Sequence, residues 1–443
     1  MRTSNPFYAL IATQTMSLIG SRMTSIGVGI WVFTATGKTA PLLLTSFFSE
    51  LPGMLAGSLA GVVVDRWDRR WVMVLADAGQ AVGSVLLMIS FLSGKFELWH
   101  LYTVAFVQGI FSTFQSPAER AATTMLIPEE GRERANAIRE TSFPLAGIVA
   151  PVFTGLLYAG IGIAGIIFID LLTFVVAVIF LWMIHIPHPE QTAIGIESQG
   201  SFWQEARGAW RFVVRRRPLF VLMVVTAFIN FMLNGPLDLT LPYLILLTGS
   251  EKVAGAIIGV TSLGAFAGAS LIAVWGGTRP RIKTILVGWI VTGIMFLFFG
   301  VLRAPIPIGV TLFVLFLNLP VVQAMYISIL QVKSPPDLQG RVFALNDQFS
   351  LIGSTTSFLL TGFLVDHVVN PAIGSKAWAF LEPLFGRGPG AGIGLVQVAT
   401  GVIIVIATLL VFASANVRTL ESHLPDYEPS KPSPSETPAA PVS

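Results

Sequence analysis

Twelve apolar runs of about 20 residues or more, separated by short polar breaks, constrain this chain more than any other feature. A helix needs about 20 mostly apolar residues to cross a hydrocarbon layer about 30 Å thick, and a water-soluble domain has no use for a dozen such runs. The first six lie near 7–34, 40–64, 71–93, 99–126, 136–160 and 163–185, and the last six near 219–247, 253–275, 284–302, 306–332, 341–367 and 391–415. Only 12% of the 443 residues are charged and 53% are hydrophobic, against roughly 25% charged in soluble domains. The expected fold is an all-α integral membrane protein with twelve transmembrane helices in two six-helix halves, 1–185 and 219–415. A cytoplasmic linker, 186–218, joins the halves, and a Pro/Ser-rich tail, 416–443, is expected to be disordered.

What the chain lacks narrows its chemistry. Cysteine is absent, which removes disulfide, zinc and thiol chemistry. Neither a phosphate-cradling glycine loop nor a hydrolase constellation is present, so the chain reads as no enzyme and takes no cofactor; its driving force is an ion gradient, with the proton first in line. The net charge of +3 comes from basic residues dispersed over loops, a pattern that membrane topology explains better than a nucleic-acid partner. The first run begins at Phe7, is too long for a cleavable signal and lacks a small-residue cleavage site, so it is expected to stay as a membrane helix.

Basic residues also set the orientation. With both termini cytoplasmic, Arg66, Arg69, Arg70, Arg132, Arg134, Arg207, Arg211, Arg215, Arg216, Arg217, Arg279, Arg281, Lys283, Lys333 and Arg341 fall in or beside cytoplasmic loops, whereas only Lys38, Lys95, Lys252, Arg303, Lys376 and Arg387 fall outside. A shift of 207 residues aligns Pro128, Arg134, Ala137, Thr154, Gly155 and Leu157 with Pro335, Arg341, Ala344, Thr361, Gly362 and Leu364. That register pairs run 5 with run 11 and points to duplication, which places a substrate path between two parallel halves. In the linker, Trp203, Ala206, Trp210, Val213 and Val214 share one helical face and Arg207, Arg211 and Arg215 another. This is the pattern of a helix lying on anionic lipid headgroups; the plainer reading is a linker with topological charge.

Ionisable residues inside apolar runs are costly and therefore candidates for function. Arg22 and Glu50 lie about fourteen and eleven residues from the hairpin near 36–39, so their depths differ by only about 5 Å and they can pair. A carboxylate beside an arginine in a partly desolvated site can switch protonation as a cavity alternates, which proton coupling requires; a permanently ionised structural pair is the alternative. Glu119, next to Arg120 in the inner third of run 4, is a second proton-site candidate. Asp238, just after Pro236, is expected to line the path or cap a broken helix. Asp170 and Asp347 are assigned to helix packing. The histidines, at helix ends or in loops, support neither an imidazole relay nor a metal site.

The turn Gly61-x-x-x-Asp65-Arg66-x-Asp68-Arg69-Arg70, followed by Asp77, resembles the signature between helices 2 and 3 of the major facilitator superfamily. Gly147-x-x-x-Pro151-x-x-x-Gly155 on run 5 resembles the glycine/proline motif of that superfamily's antiporters. Along the rest of the chain, SLIGSRMTSIGVGIWVF, VVVDRWDRRWVMVLAD, SPAERAATTMLIP, IDLLTFVVAVIFL, QGRVFAL, GPGAGIGLVQVATG and LPDYEP are similar to the macrolide-efflux and siderophore-exporter branch of drug:proton antiporters. The resemblance implies alternating access, with Gly61, Asp65, Arg66, Arg69, Arg70 and Asp77 as a conformational latch and Gly147, Pro151 and Gly155 shaping an antiporter helix contact. It also implies a substrate cavity on helices 1, 4, 7 and 10, where Phe7, Gln14, Trp31, Gln108, Gln115, Asn230, Asn234, Asn318, Gln323 and Tyr326 offer aromatic and neutral polar walls.

On this resemblance the chain is expected to be a monomeric multi-pass protein of the bacterial inner membrane. It would return protons while expelling an amphipathic siderophore, peptide or macrolide, with membrane lipids as its other contacts. Two rivals remain: a lysophospholipid flippase of the same fold, and a non-transporting membrane receptor or scaffold.

Overall fold

The computed structural model describes residues 5–126, 142–184, 210–334, 336–376, 378–413, 418 and 420–423. Four long helices open the chain: α1 (Asn5–Thr36), α2 (Ala40–Arg66), α3 (Arg69–Leu92) and α4 (Leu98–Leu126). The 27 residues of α2 rise about 40 Å, enough to clear a 30 Å hydrocarbon layer with turns to spare. Asp68 stands in extended backbone and accepts a hydrogen bond from Arg70 N at 2.9 Å, an N-cap that starts α3 immediately after α2 ends.

The 42-residue element α5 (Ser142–Met183) is a hairpin of two limbs. Gly162 has φ +63° and ψ −172°, a backbone that residues with side chains rarely adopt, and the chain reverses there. The two limbs flank the same turn of α1, since Gly147 faces Arg22 while Asp170 bonds Ser21. A straight helix would separate positions 147 and 170 by about 35 Å. The described parts of runs 136–160 and 163–185 are therefore limbs of one element.

The second half contains α6 (Arg217–Asp238), α7 (Thr240–Thr248), α8 (Glu251–Trp275), α9 (Arg281–Val301), α10 (Pro305–Lys333), α11 (Pro336–Leu364) and α12 (Ala391–Ala413). The run expected at 219–247 is one pass interrupted at Leu239, three residues after Pro236, whose ring removes a helical donor. Past α11 the chain continues through a wide turn, Val365–Val369, as far as Ala372. Among the described residues, nine helical stretches are long and apolar enough to cross a bilayer. The α5 hairpin crosses twice, and α2 and α4 complete twelve passes.

In the first half α1 packs on α5, α2 on α4, and α3 on both α4 and α5; in the second, α8 and α9 pack on α10, α9 on α12, and α11 on α6. Lipid is as apolar as leucine, so close backbone approach and hydrogen bonds decide such contacts. Gly264 and Gly268 of α8 show this: a Cβ there would stand 2.4 and 2.0 Å from the carbonyl oxygens of Phe313 and Leu317 on α10. The apolar core of the second half is continuous from Leu219 to Leu420. That of the first half is divided into four smaller clusters, with polar networks between the helices.

Most of the linker and tail lies outside the described residues. Of the amphipathic face expected on lipid, Val213 is fully buried against the second half and Trp210 meets Phe220 edge-on. Val213 thus packs on protein, whereas Trp210 and Val214 of the same face stay exposed.

Candidate functional site

Two carboxylates organise the first half. Asp77 of α3 is fully buried and accepts from Gln14 Nε2 of α1 at 3.0 Å and Gln115 Nε2 of α4 at 2.5 Å. Gln80 donates to Gln115 Oε1, and Gln108 donates to the Gln80 carbonyl oxygen and to Ser84 Oγ. Ser84 in turn donates to Asp170, which also accepts from Ser21 and Thr24 at 3.1–3.2 Å. The chain of bonds ties α1, α3, α4 and α5 together, as buried polar groups in lipid demand.

The halves meet along two seams. On the first, Asp366 at the end of α11 accepts from Thr39 N (3.1 Å), Thr39 Oγ1 (2.9 Å) and Ala40 N (2.7 Å), capping the N-terminus of α2 from the opposite half. Deeper on the same seam, Ser354 Oγ donates to Glu50 Oε2 at 2.5 Å and Gln348 Nε2 donates to the Met54 carbonyl oxygen. Asp238 of α6 accepts from Ser46 Oγ of α2 at 2.5 Å. On the second seam the Gly147, Pro151 and Gly155 face of α5 lies on α8. Ser262 Oγ donates to the Gly147 carbonyl oxygen, and a Cβ on Gly255 would stand 3.2 Å from the Pro151 oxygen. The first seam runs from the α1–α2 hairpin at Thr39 to Met54, about 22 Å along α2.

Between the seams lies a cavity of about 720 Å³ walled by both halves. Arg22, Glu50, Asp170 and Asp238 line it, with Gln80, Gln108, Ser46 and apolar groups such as Phe174, Phe316 and Phe358. A second cavity of about 350 Å³ abuts the first at Leu237 and Phe316 and belongs to the second half. Asn230, Asn234, Gln323 and Tyr326 line it.

These placements correct several sequence expectations. Trp31 packs edge-on against Phe91 and Phe96 rather than on a cavity wall. Asn318 donates to the Gly288 carbonyl oxygen and to Thr292 Oγ1, binding α10 to α9. Gln14 and Gln115 serve Asp77 in the packed interior, and Phe7 is buried. Glu119, one turn beyond Gln115 on α4, is not among the residues lining the cavity. Of the expected latch, Arg70 donates to the Leu181 and Trp182 carbonyl oxygens at the end of α5, and Asp77 bonds within its own half, so neither of these bonds spans the halves. Gly61, Asp65 and Arg66 occupy the last turns of α2, and their side chains lie outside the described residues. Arg69 begins α3.

Sequence reasoning missed Ser46, Ser354 and Asp366, whose partners lie 192 to 327 residues away in the chain. The α8 face could have been found, because Gly255 and Gly259 repeat at the four-residue spacing of close helix contacts.

A twelve-pass bundle in two halves around a two-sided cavity is a transporter architecture, and the pattern of the Major Facilitator Superfamily matches residues 10–358. The chain belongs to the Major Facilitator Superfamily. It is therefore a multi-pass membrane transporter and not an enzyme. Among its superfamily relatives, macrolide efflux protein A of Streptococcus pyogenes is 26% identical over 393 residues, covering 85% of this chain and 92% of that protein. The enterobactin exporter EntS of Shigella flexneri is 24% identical over 164 residues, 37% of this chain and 40% of that one. Among solved superfamily structures, a bacterial homolog of the human lysosomal transporter Spinster, inward-facing and unoccupied, superposes with a TM-score of 0.75 at 18% identity, covering 97% of this chain and 99% of that one. The nucleoside transporter NupG superposes with a TM-score of 0.72 at 11% identity, covering 92% and 99%.

Proposed function

We propose that this superfamily member exports a bulky amphipathic small molecule, of the macrolide or siderophore kind, in exchange for protons across a bacterial cytoplasmic membrane. The observation that carries the reading is the pair of cavity carboxylates, Glu50 and Asp238, each held by a serine hydroxyl of the opposite half. Bonds of this kind exist only while the hairpin end of the bundle is closed. Charge-assisted hydrogen bonds are roughly twice as strong as neutral ones, so a proton arriving on either carboxylate alters the balance between the two halves. A proton and a cationic or hydrogen-bonding substrate also compete for the same oxygens, and such competition is the simplest source of obligatory exchange. The names of the efflux relatives support the direction and the substrate class.

In this reading both termini and the arginine-rich turns are cytoplasmic, and the closed seam at Thr39–Met54 makes the conformation inward-facing. The test is accumulation of a panel of fluorescent drugs, a macrolide and an iron-free siderophore in efflux-deficient cells, with and without an uncoupler. Expression should lower accumulation of at least one compound, and the uncoupler should abolish the effect. Glu50→Gln should remove uncoupler-sensitive efflux. Unchanged, uncoupler-sensitive efflux in that variant would eliminate Glu50 as a proton carrier, and movement of labelled lysolipid with no drug response would replace the export reading.

A further inference from the structure

The two adjoining cavities divide their chemistry sharply. All the acidic and basic side chains on their walls, Arg22, Glu50, Asp170 and Asp238, belong to the larger one. The 350 Å³ cavity of the second half is lined by no charged residue. Its polar wall combines three carboxamides with the hydroxyls of Thr226 and Tyr326, of which Thr226 donates to the Leu222 carbonyl oxygen. Asn230 and Asn234 lie one turn apart on the same face of α6, and Gln323 faces them from α10.

The hydrogen-bonding capacity of this wall is largely unspent. Asn234 Nδ2 donates to the Asn230 carbonyl oxygen at 2.7 Å, and Asn230 Nδ2 makes only a long contact to Ser350 Oγ at 3.4 Å. Neither Oδ1 accepts a hydrogen bond from a described residue, and the exposed Gln323 makes none through either amide atom. Tyr326 is committed to Asn346. Trp289, Leu233, Phe316 and Leu319 complete the wall with apolar surface.

Two physical costs define what such a pocket can hold. An ion placed among uncharged groups has no counter-charge to offset its desolvation. A purely apolar group strips water from three amides and gives nothing back, leaving each one unpaired. A neutral group that both donates and accepts avoids both costs. The volume lies at the lower end of ligand pockets, enough for a ring or short arm and too little for a whole amphipathic drug.

We infer that the second-half cavity is a specificity subsite for an uncharged hydroxyl- or amide-bearing arm of the substrate, while the charged part of the same molecule sits in the central cavity between Glu50 and Asp238. The inference rests on the export reading and adds to it a two-part substrate, ionic at one end and neutral but hydrogen-bonding at the other. Gln323 is the specificity-determining residue, since among the described residues nothing engages either of its amide atoms.

The test is equilibrium binding to purified full-length protein, wild type and the near-isosteric variants Gln323→Leu and Asn234→Leu. One probe set consists of hydroxyl-bearing cations: erythromycin, doxorubicin and puromycin. The other probe is tetraphenylphosphonium, a cation with no hydrogen-bonding group. Gln323→Leu should raise Kd for the hydroxyl-bearing probes about tenfold and leave the phosphonium within about twofold, the phosphonium serving also as a control for folding. Equal weakening of both kinds of probe, or no change in either, overturns the subsite. Wild-type protein that binds the phosphonium and none of the hydroxyl-bearing cations overturns the subsite and leaves the export reading standing. Wild-type protein that binds no probe of either kind overturns both.

Discussion

Removing the carboxylate of Asp366 should shift the protein away from the conformation described here. Asp366 accepts three hydrogen bonds from Thr39 and Ala40 and thereby supplies, from the second half, the N-cap of α2 in the first. Loss of an N-cap costs about 0.5–2 kcal/mol, and the interaction of an anion with a helix N-terminus contributes about 0.3–1 kcal/mol more. Those contributions exist only while the hairpin end is closed, so the whole loss, about 1–3 kcal/mol, falls on the equilibrium between the closed and open forms of that end. The ratio of the two forms should move roughly 5- to 150-fold in Asp366→Ala, and by a smaller factor in Asp366→Asn, which keeps one acceptor. The chain contains no cysteine, so spin labels on Lys95→Cys and Lys376→Cys report on the exposed hairpin-end loops of the two halves without a background to remove. Dipolar distance distributions in nanodiscs should gain a longer-distance population in Asp366→Ala. A distribution indistinguishable from wild type, in a variant with an unchanged melting curve, would show that the cap carries no part of the conformational balance.

Other perturbations separate packing from transport. Asp77→Ala leaves the Gln14 amide without its acceptor and Gln115 with Gln14 Oε1 alone, inside α1, α3 and α4, and should cost about 2–4 kcal/mol, read as a lower Tm of the detergent-solubilised protein. An unchanged Tm would mean that those helices do not depend on the network. Gly268→Val should impair folding, because even its Cβ would stand 2.0 Å from the Leu317 carbonyl oxygen, whereas Gly309→Val, with nothing within 4 Å of its Cβ position, should be tolerated. Yields of monodisperse protein from size-exclusion chromatography compare the two directly, and equal yields would refute the close α8–α10 contact.

The helical passes were legible in the sequence because a bilayer offers the backbone no water. Each apolar segment must satisfy its own hydrogen bonds as a helix, and hydropathy alone then marks where the helices run. Gly147, Pro151 and Gly155 stood out through their resemblance to an antiporter motif, and their contact with α8 is of the kind by which helices approach where burial of apolar surface gives no drive. The reversal inside α5 falls between two runs at the glycine-rich stretch 160–165, although that it needs a glycine with positive φ came from the structure.

The direction in which a polar residue points was not legible. In a membrane both a substrate cavity and a helix–helix contact call for polar groups, so Asn318 and Gln115, which bind neighbouring helices, look in sequence like Asn230 and Gln323, which line a cavity. Partnership across the halves was equally hidden. Ser354 reaches Glu50 over 304 residues of chain and Asp366 reaches Thr39 over 327, with no local pattern to connect them. The sequence by itself determined how many times the chain crosses and which segments do so, because those are properties of each segment against lipid. The tertiary structure decided which carboxylates face one another, which glutamines are spent on packing and where charge is kept apart from neutral amides, because those are properties of pairs of helices that only folding brings together.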